Sequence, residues 1–166
     1  MKMASVDPSK LEAEPFKSAL VVVCGFFQAE DLHVEQINAL NKEFFLGNNI
    51  FFSAGTGYGK SLVFQAVTLL ADLLLEQVVG TTICPLVSLM LDQDAYLKFI
   101  GLNAAAVFEG QDEQVLSDIE DGVYSHVYAS PESMLSVKRW QKMLRSQHFT
   151  KNCVVVAVDE AQSMVS

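Results

Sequence analysis

The sequence predicts an α/β fold, with a mostly parallel sheet covered by helices on both faces. Three observations carry that prediction. Short runs rich in Val, Ile, Phe and Ala recur along the chain, helical patterns separate them, and several runs stop at Pro or Gly. Strands buried on both faces read as near-continuous apolar runs, and a parallel pair needs a long crossover, usually a helix.

The elements follow in order. NNIFFSA, residues 48–54, predicts a short buried strand, and the stretch from Lys60 to about Gln77 predicts a helix. VGTTICP, Val79 to Pro85, predicts a second strand stopped by its proline. SLMLDQDAYLKFI, Ser88 to Ile100, predicts a helix with Ser88 as its N-cap. AAAVF, Ala104 to Phe108, predicts a third strand, and QDEQVLSDIED, Gln111 to Asp121, a short polar helix. SHVYASP, Ser125 to Pro131, predicts a strand, and ESMLSVKRWQKMLRSQ, Glu132 to Gln147, one helix. NCVVVAVDE, Asn152 to Glu160, is the most strand-like run in the chain. The order is β-α-β-α-β-α-β-α-β, and ligands of such sheets bind at the carboxyl ends of the strands.

Composition sets the outer bounds. The 166 residues suit one domain, and 51% apolar with 19% charged residues can build a substantial core. Residues 1–15 read as a loose polar tail and 16–166 as the folded domain. VFQAVTLLADLLLEQVV, Val63 to Val79, approaches the length of a membrane span, but Gln65, Thr68, Asp72 and Glu76 form a polar stripe of helical period. No membrane segment or signal peptide is expected. Cys24, Cys84 and Cys153 are odd in number and far apart, which speaks against a disulfide or zinc framework and for a reducing, intracellular or nuclear setting. The net charge of −9 leaves any nucleic-acid role to a local groove. The helical stretch with Lys138, Arg139, Trp140, Lys142 and Arg145 reads as a solvated basic face with one buried tryptophan; a nucleic-acid or partner surface is the alternative.

SAGTGYGKS, Ser53 to Ser61, carries the chemistry. It sits between the predicted first strand and the helix that opens at Lys60. Gly55, Gly57 and Gly59 allow a tight turn whose N–H groups can cradle anionic oxygens, with Ala54, Thr56 and Tyr58 completing the loop. The helix start adds partial positive charge. Lys60 can reach the β- and γ-phosphates, and the Ser61 hydroxyl suits Mg²⁺. Ala54 stands where this pattern usually has glycine, a mild departure for a residue leaving a strand. A glycine-rich turn with an incidental lysine is the competing reading. VVVAVDEAQ, Val154 to Gln162, supplies the acidic partner: Asp159 for the metal and Glu160 to orient and deprotonate the attacking water.

With these residues the chain resembles the first RecA-like domain of superfamily-two helicases, a three-layer P-loop NTPase fold. CPLVSLMLDQ (Cys84 to Gln93), ASPE (Ala129 to Glu132) and LHVEQINAL (Leu32 to Leu40) narrow the resemblance to RecQ-like DNA helicases, from about Phe16 onward. The resemblance implies ATP and Mg²⁺ as cofactors and Gln36 as the adenine reader. It implies single-stranded DNA, with RNA as the alternative, contacted by Pro85, Ser88, Ser130 and Pro131. His33 stands where the family often has Arg or Lys, and Gln162 where RecQ-like proteins have His. In the family a second RecA-like domain follows and supplies an arginine finger. The sequence given stops at Ser166, so this chain alone is expected to bind Mg-ATP weakly, turn it over very slowly and not unwind DNA. A nucleotide-binding module acting through partners is the other reading, and a DEAD-box-like RNA helicase domain a third.

Overall fold

Four short strands find one another through parallel pairing. They are β1 (Val79–Ile83), β2 (Ala104–Val107), β3 (His126–Ala129) and β4 (Cys153–Val158), in the order β2-β3-β1-β4. Gly80 to Ile83 of β1 face His126 to Ala129 of β3, and Ala104 to Val107 of β2 face the same four residues from the other side. β4 runs parallel to β1, with a register irregularity between Val79 and Gly80. The structure is a computed structural model and describes residues 14–29, 32–46, 50–53, 55, 57–75, 77–136 and 138–159. The chain divides into two compact units, residues 1–76 and 77–166, and the sheet belongs to the second.

Each crossover in that unit is helical, as parallel pairs demand. α4 (Val87–Phe99) joins β1 to β2, and α5 (Glu113–Glu120) joins β2 to β3. α6 (Pro131–Ser136), α7 (Lys138–Leu144) and α8 (Gln147–Asn152) join β3 to β4. Alternation along the strands feeds two cores. Ala105, Val107, Val127 and Ala129 pack with Leu116 and Ile119 of α5, Trp140 and Met143 of α7 and Phe149 of α8. From the opposite face of β3, the Tyr128 hydroxyl donates to Gln93 Oε1 of α4 at 3.4 Å. Met90 and Leu97 anchor α4 by full burial. Helices therefore cover both faces, the three-layer α/β arrangement that the apolar strands predict.

The first unit is helical: α1 (Glu14–Phe26), α2 (Val34–Leu46) and α3 (Lys60–Leu74), with α1 and α2 both packed on α3. In α1, Ala19 and Val23 are buried four residues apart, and Phe27 follows just past the helix end. The Val21–Val23 run hides this periodicity from a propensity reading, and tertiary packing overrides it. α3 buries Val63, Ala66, Val67, Leu69, Leu70 and Ala71. Its polar stripe is wet at one end only: Gln65 and Thr68 are buried, and Thr68 Oγ1 donates to the Phe64 carbonyl at 3.1 Å. No helix among the described residues is long and apolar enough to cross a membrane.

Four expectations need correction. Residues 50–53 are not a strand, and Phe51 is 87% exposed instead of buried. A strand exists only through its ladder, and none of the four sheet strands pairs with this stretch. α3 stops at Leu74, before Gln77, because Leu75 is already extended at φ −130° and ψ 157°. The helix expected over 132–147 does not run through to Gln147: α7 ends at Leu144, and Ser146 takes an extended backbone and its hydroxyl accepts from Phe149 N–H, starting α8 anew; Val137, between α6 and α7, lies outside the described residues. Ser88 is not the N-cap of α4. Leu86 holds that place with an extended backbone (φ −103°, ψ 109°), and its carbonyl accepts from Met90 N–H at 3.0 Å. The expected tail falls mostly on residues 1–13, which lie outside the described residues; Glu14 already belongs to α1.

Candidate nucleotide and nucleic-acid site

The turn into α3 depends on two glycines. Gly57 has φ +83° and Gly59 φ +78°, the left-handed region that residues with a Cβ avoid. Gly59 is the N-cap of α3, so Lys60 is the first helical residue and Ser61 the second. Tyr58 N–H donates to the Gly55 carbonyl at 3.3 Å and Leu62 N–H to that of Gly59 at 3.1 Å, which closes the turn. Lys60 Nζ donates to the Gly55 carbonyl at 3.3 Å, so the ammonium lies back over the loop. Around Gly55 and Gly57 there is open space where a Cβ would stand. Left-handed glycines, open space along the loop and an inward lysine at a helix start fit a polyphosphate. Ala54 and Thr56 lie outside the described residues.

α2 braces this loop. Gln36 is 3% exposed, and its Nε2 donates to the carbonyls of Tyr58 and Gly59, each at 3.2 Å. Its Oε1 accepts from His33 N–H at 2.8 Å. The His33 ring stacks on Tyr58 with centroids 4.6 Å apart, and the Tyr58 hydroxyl donates to Glu35 Oε2 at 2.8 Å. That bond is the main reason the Glu35 carboxyl titrates below its ordinary range and the Tyr58 phenol above its own. Sequence reasoning selected Gln36 and Tyr58 but missed Glu35, and it noted His33 only as standing where the family often has Arg or Lys. An aromatic residue inside a phosphate loop, with an acid beside the upstream glutamine, is the signal that points to this brace.

The remaining candidates belong to the second unit, where parallel pairing brings the carboxyl ends of the strands to one edge. Asp159 follows β4; it is 8% exposed and its N–H donates to the Ile83 carbonyl at 2.9 Å, tying it to the end of β1. Glu160 lies outside the described residues. Pro85 follows β1 half-buried, and Ser88 is exposed in the first turn of α4. Ser130 follows β3 and is 3% exposed. Its hydroxyl accepts from Ser133 N–H at 3.1 Å, while its carbonyl accepts from the Ser133 hydroxyl at 2.8 Å. Pro131 opens α6, a first-turn position where its missing N–H costs nothing. Ser130 thus spends its hydroxyl on the helix start, and Ser88 keeps an exposed position. Among the described residues no cluster of three His, Cys, Asp or Glu side chains forms a metal cage.

Comparisons with known proteins bear on the family and the fold. The DEAD/DEAH box helicase family matches residues 35–166. The mouse bifunctional 3'-5' exonuclease/ATP-dependent helicase WRN is 33% identical over 106 residues, covering 64% of this chain and 7% of that protein. The Bacillus subtilis ATP-dependent DNA helicase RecQ is 34% identical over 112 residues, covering 64% and 17%. The rat ATP-dependent DNA helicase Q1 is 30% identical over 137 residues, covering 78% and 20%. The chain therefore spans a fifth or less of the length of these relatives. The crystal structure of the DUF1998 helicase MrfA matches with a TM-score of 0.69 at 13% identity, over 88% of this chain and 29% of that one, a likeness of fold. With its glycine turn leading into Lys60 and a family match that runs from Glu35 to Ser166, the chain belongs to the DEAD/DEAH box helicase family, and its relatives are RecQ-family helicases.

Proposed function

We propose that this chain is the ATP-binding domain of a RecQ-like DNA helicase, binding Mg-ATP and single-stranded DNA. The observation that carries the reading is the left-handed pair Gly57 and Gly59 set directly before Lys60 at the head of α3. Loop N–H groups and Lys60 would hold the phosphates; Ser61 in the first unit and Asp159 in the second are the residues that would serve the metal. Mg²⁺, when bound, would supply charge neutralisation for the phosphates. Glu160 orients the attacking water and takes up its proton. Gln36 keeps the loop in shape, and the second lone pair of its Oε1 is the group that would meet an adenine amino edge. Pro85, Ser88, Ser130 and Pro131 would touch the sugar–phosphate chain without reading sequence, Ser88 through its exposed hydroxyl.

Titration with a fluorescent N-methylanthraniloyl ATP, with and without Mg²⁺, tests the reading. Wild-type chain binds the probe, Lys60→Ala loses most of the binding, and hydrolysis by the chain alone is very slow. Equal binding by wild type and Lys60→Ala would refute it.

A further inference from the structure

The sheet face opposite α4 carries a groove of about 680 Å³ between α5, α7 and α8. Its floor is apolar, from Ile119, Met143 and Phe149. Its rim is cationic: Lys138 and Lys142 are exposed, and their spacing of four places them on one face of α7. Five of the eleven basic residues of a chain with net charge −9 fall within residues 138–151, including both arginines. The positive charge is thus concentrated beside an apolar trough.

The third cation of the wall is already engaged. Arg139 donates through Nε and Nη2 to both carboxylate oxygens of Glu120, at 2.9 and 2.8 Å, and it also pairs with Glu113. It ties α7 to α5. Lys138 and Lys142 form no ion pair within the described residues. Both ammonium groups are exposed, and Lys142 also lies close enough to Glu120 to help lower its carboxyl.

We infer that this groove docks a short acidic–hydrophobic peptide segment of a partner protein. One or two Asp or Glu side chains meet Lys138 and Lys142, and an aliphatic or aromatic side chain enters the trough over Ile119, Met143 and Phe149. A nucleic-acid strand fits less well. Glu120 lines the same groove, so a continuous run of phosphates would have to pass a carboxylate. Base stacking needs an open aromatic face, whereas Phe149 is 6% exposed and Trp140 0%.

The test uses the full chain and a short fluorescein-labelled peptide alternating Glu and Asp with Phe and Leu, read by anisotropy. The expected result is saturable binding that weakens about tenfold in Lys138→Gln/Lys142→Gln and about tenfold again when the peptide's Phe and Leu become Ser. The charge-reversed pair Lys138→Glu/Lys142→Glu should abolish it, with Trp140 emission checking that each variant is folded. Absence of peptide binding, binding unchanged in both folded double variants, or equal binding of the Ser peptide overturns the inference. Displacement of the peptide by oligothymidylate also overturns it, and makes the groove a nucleic-acid surface.

Discussion

A Cβ placed on Gly59 would lie 2.9 Å from Gln36 Nε2, the amide that donates to the Gly59 carbonyl itself. Loop and brace are therefore fitted to each other at one point. Gly59→Ala meets two penalties: φ +78°, costing roughly 1–2 kcal/mol, and withdrawal of the Gln36 amide. The variant should lose nucleotide binding at least as fully as it loses stability. Gln36→Ala removes two hydrogen bonds to the loop and should cost about 1–3 kcal/mol in urea unfolding. If both variants bind nucleotide like wild type, the brace has no part in shaping the loop.

The Tyr58–Glu35 bond gives a titration that can be followed directly. Glu35 titrates low in the folded chain chiefly because the Tyr58 hydroxyl donates to it. A depressed carboxylate favours the fold above its unfolded pKa and loses that contribution as pH falls through the folded value. Tyr58→Phe should move the Glu35 carboxyl resonance titration upward toward the ordinary glutamate range. An unchanged Glu35 titration in Tyr58→Phe would mean that the bond is not made in solution.

Asp72 works in the opposite sense. Partial burial on α3 raises its carboxyl above the usual range, so the folded chain favours the protonated form. Its contribution is present below the unfolded pKa of about 4 and is lost as pH rises through the raised folded value. Asp72→Asn should be slightly more stable than wild type at neutral pH, with the advantage gone near pH 3. Urea midpoints at the two pH values check this, and a larger advantage in acid would reverse the assignment.

Trp140, on α7, is the single tryptophan and is fully buried in the core that α5, α7 and α8 form with the sheet. Its emission should shift to longer wavelength when the second unit unfolds. Trp140→Ala should destabilise that unit by about 3–5 kcal/mol, because so large a hole closes only in part. Circular dichroism melting supplies the readout for the variant, which has no tryptophan left.

The four sheet strands were legible because each is a short apolar run bounded by polar or turn residues, as in VGTTI and CVVVAV. The loop was legible because glycine spacing before Lys60 has few other uses. The stretch at Phe51 misled because three adjacent apolar residues look like a strand whether or not a ladder partner exists. The capping roles of Leu86 and Ser146 depend on where the backbone turns, which tertiary packing sets and local composition does not. α1 was hidden in a β-branched run whose helical period shows only as buried Ala19 and Val23. The Glu35–Tyr58 contact joins residues 23 apart, so no local window could contain it.

Because every strand of the sheet points the same way, the second unit has two rims with separate duties. One rim gathers Ser88, Ser130 and Asp159, the residues to which the proposed function assigns ligand contacts, and under that proposal variation at exposed Ser88 would alter what the domain grips while leaving its interior alone. The other, with turns such as Gly122 to Ser125, can change only how readily the domain assembles. Diversification of ligand preference in this scaffold should therefore proceed from a single side.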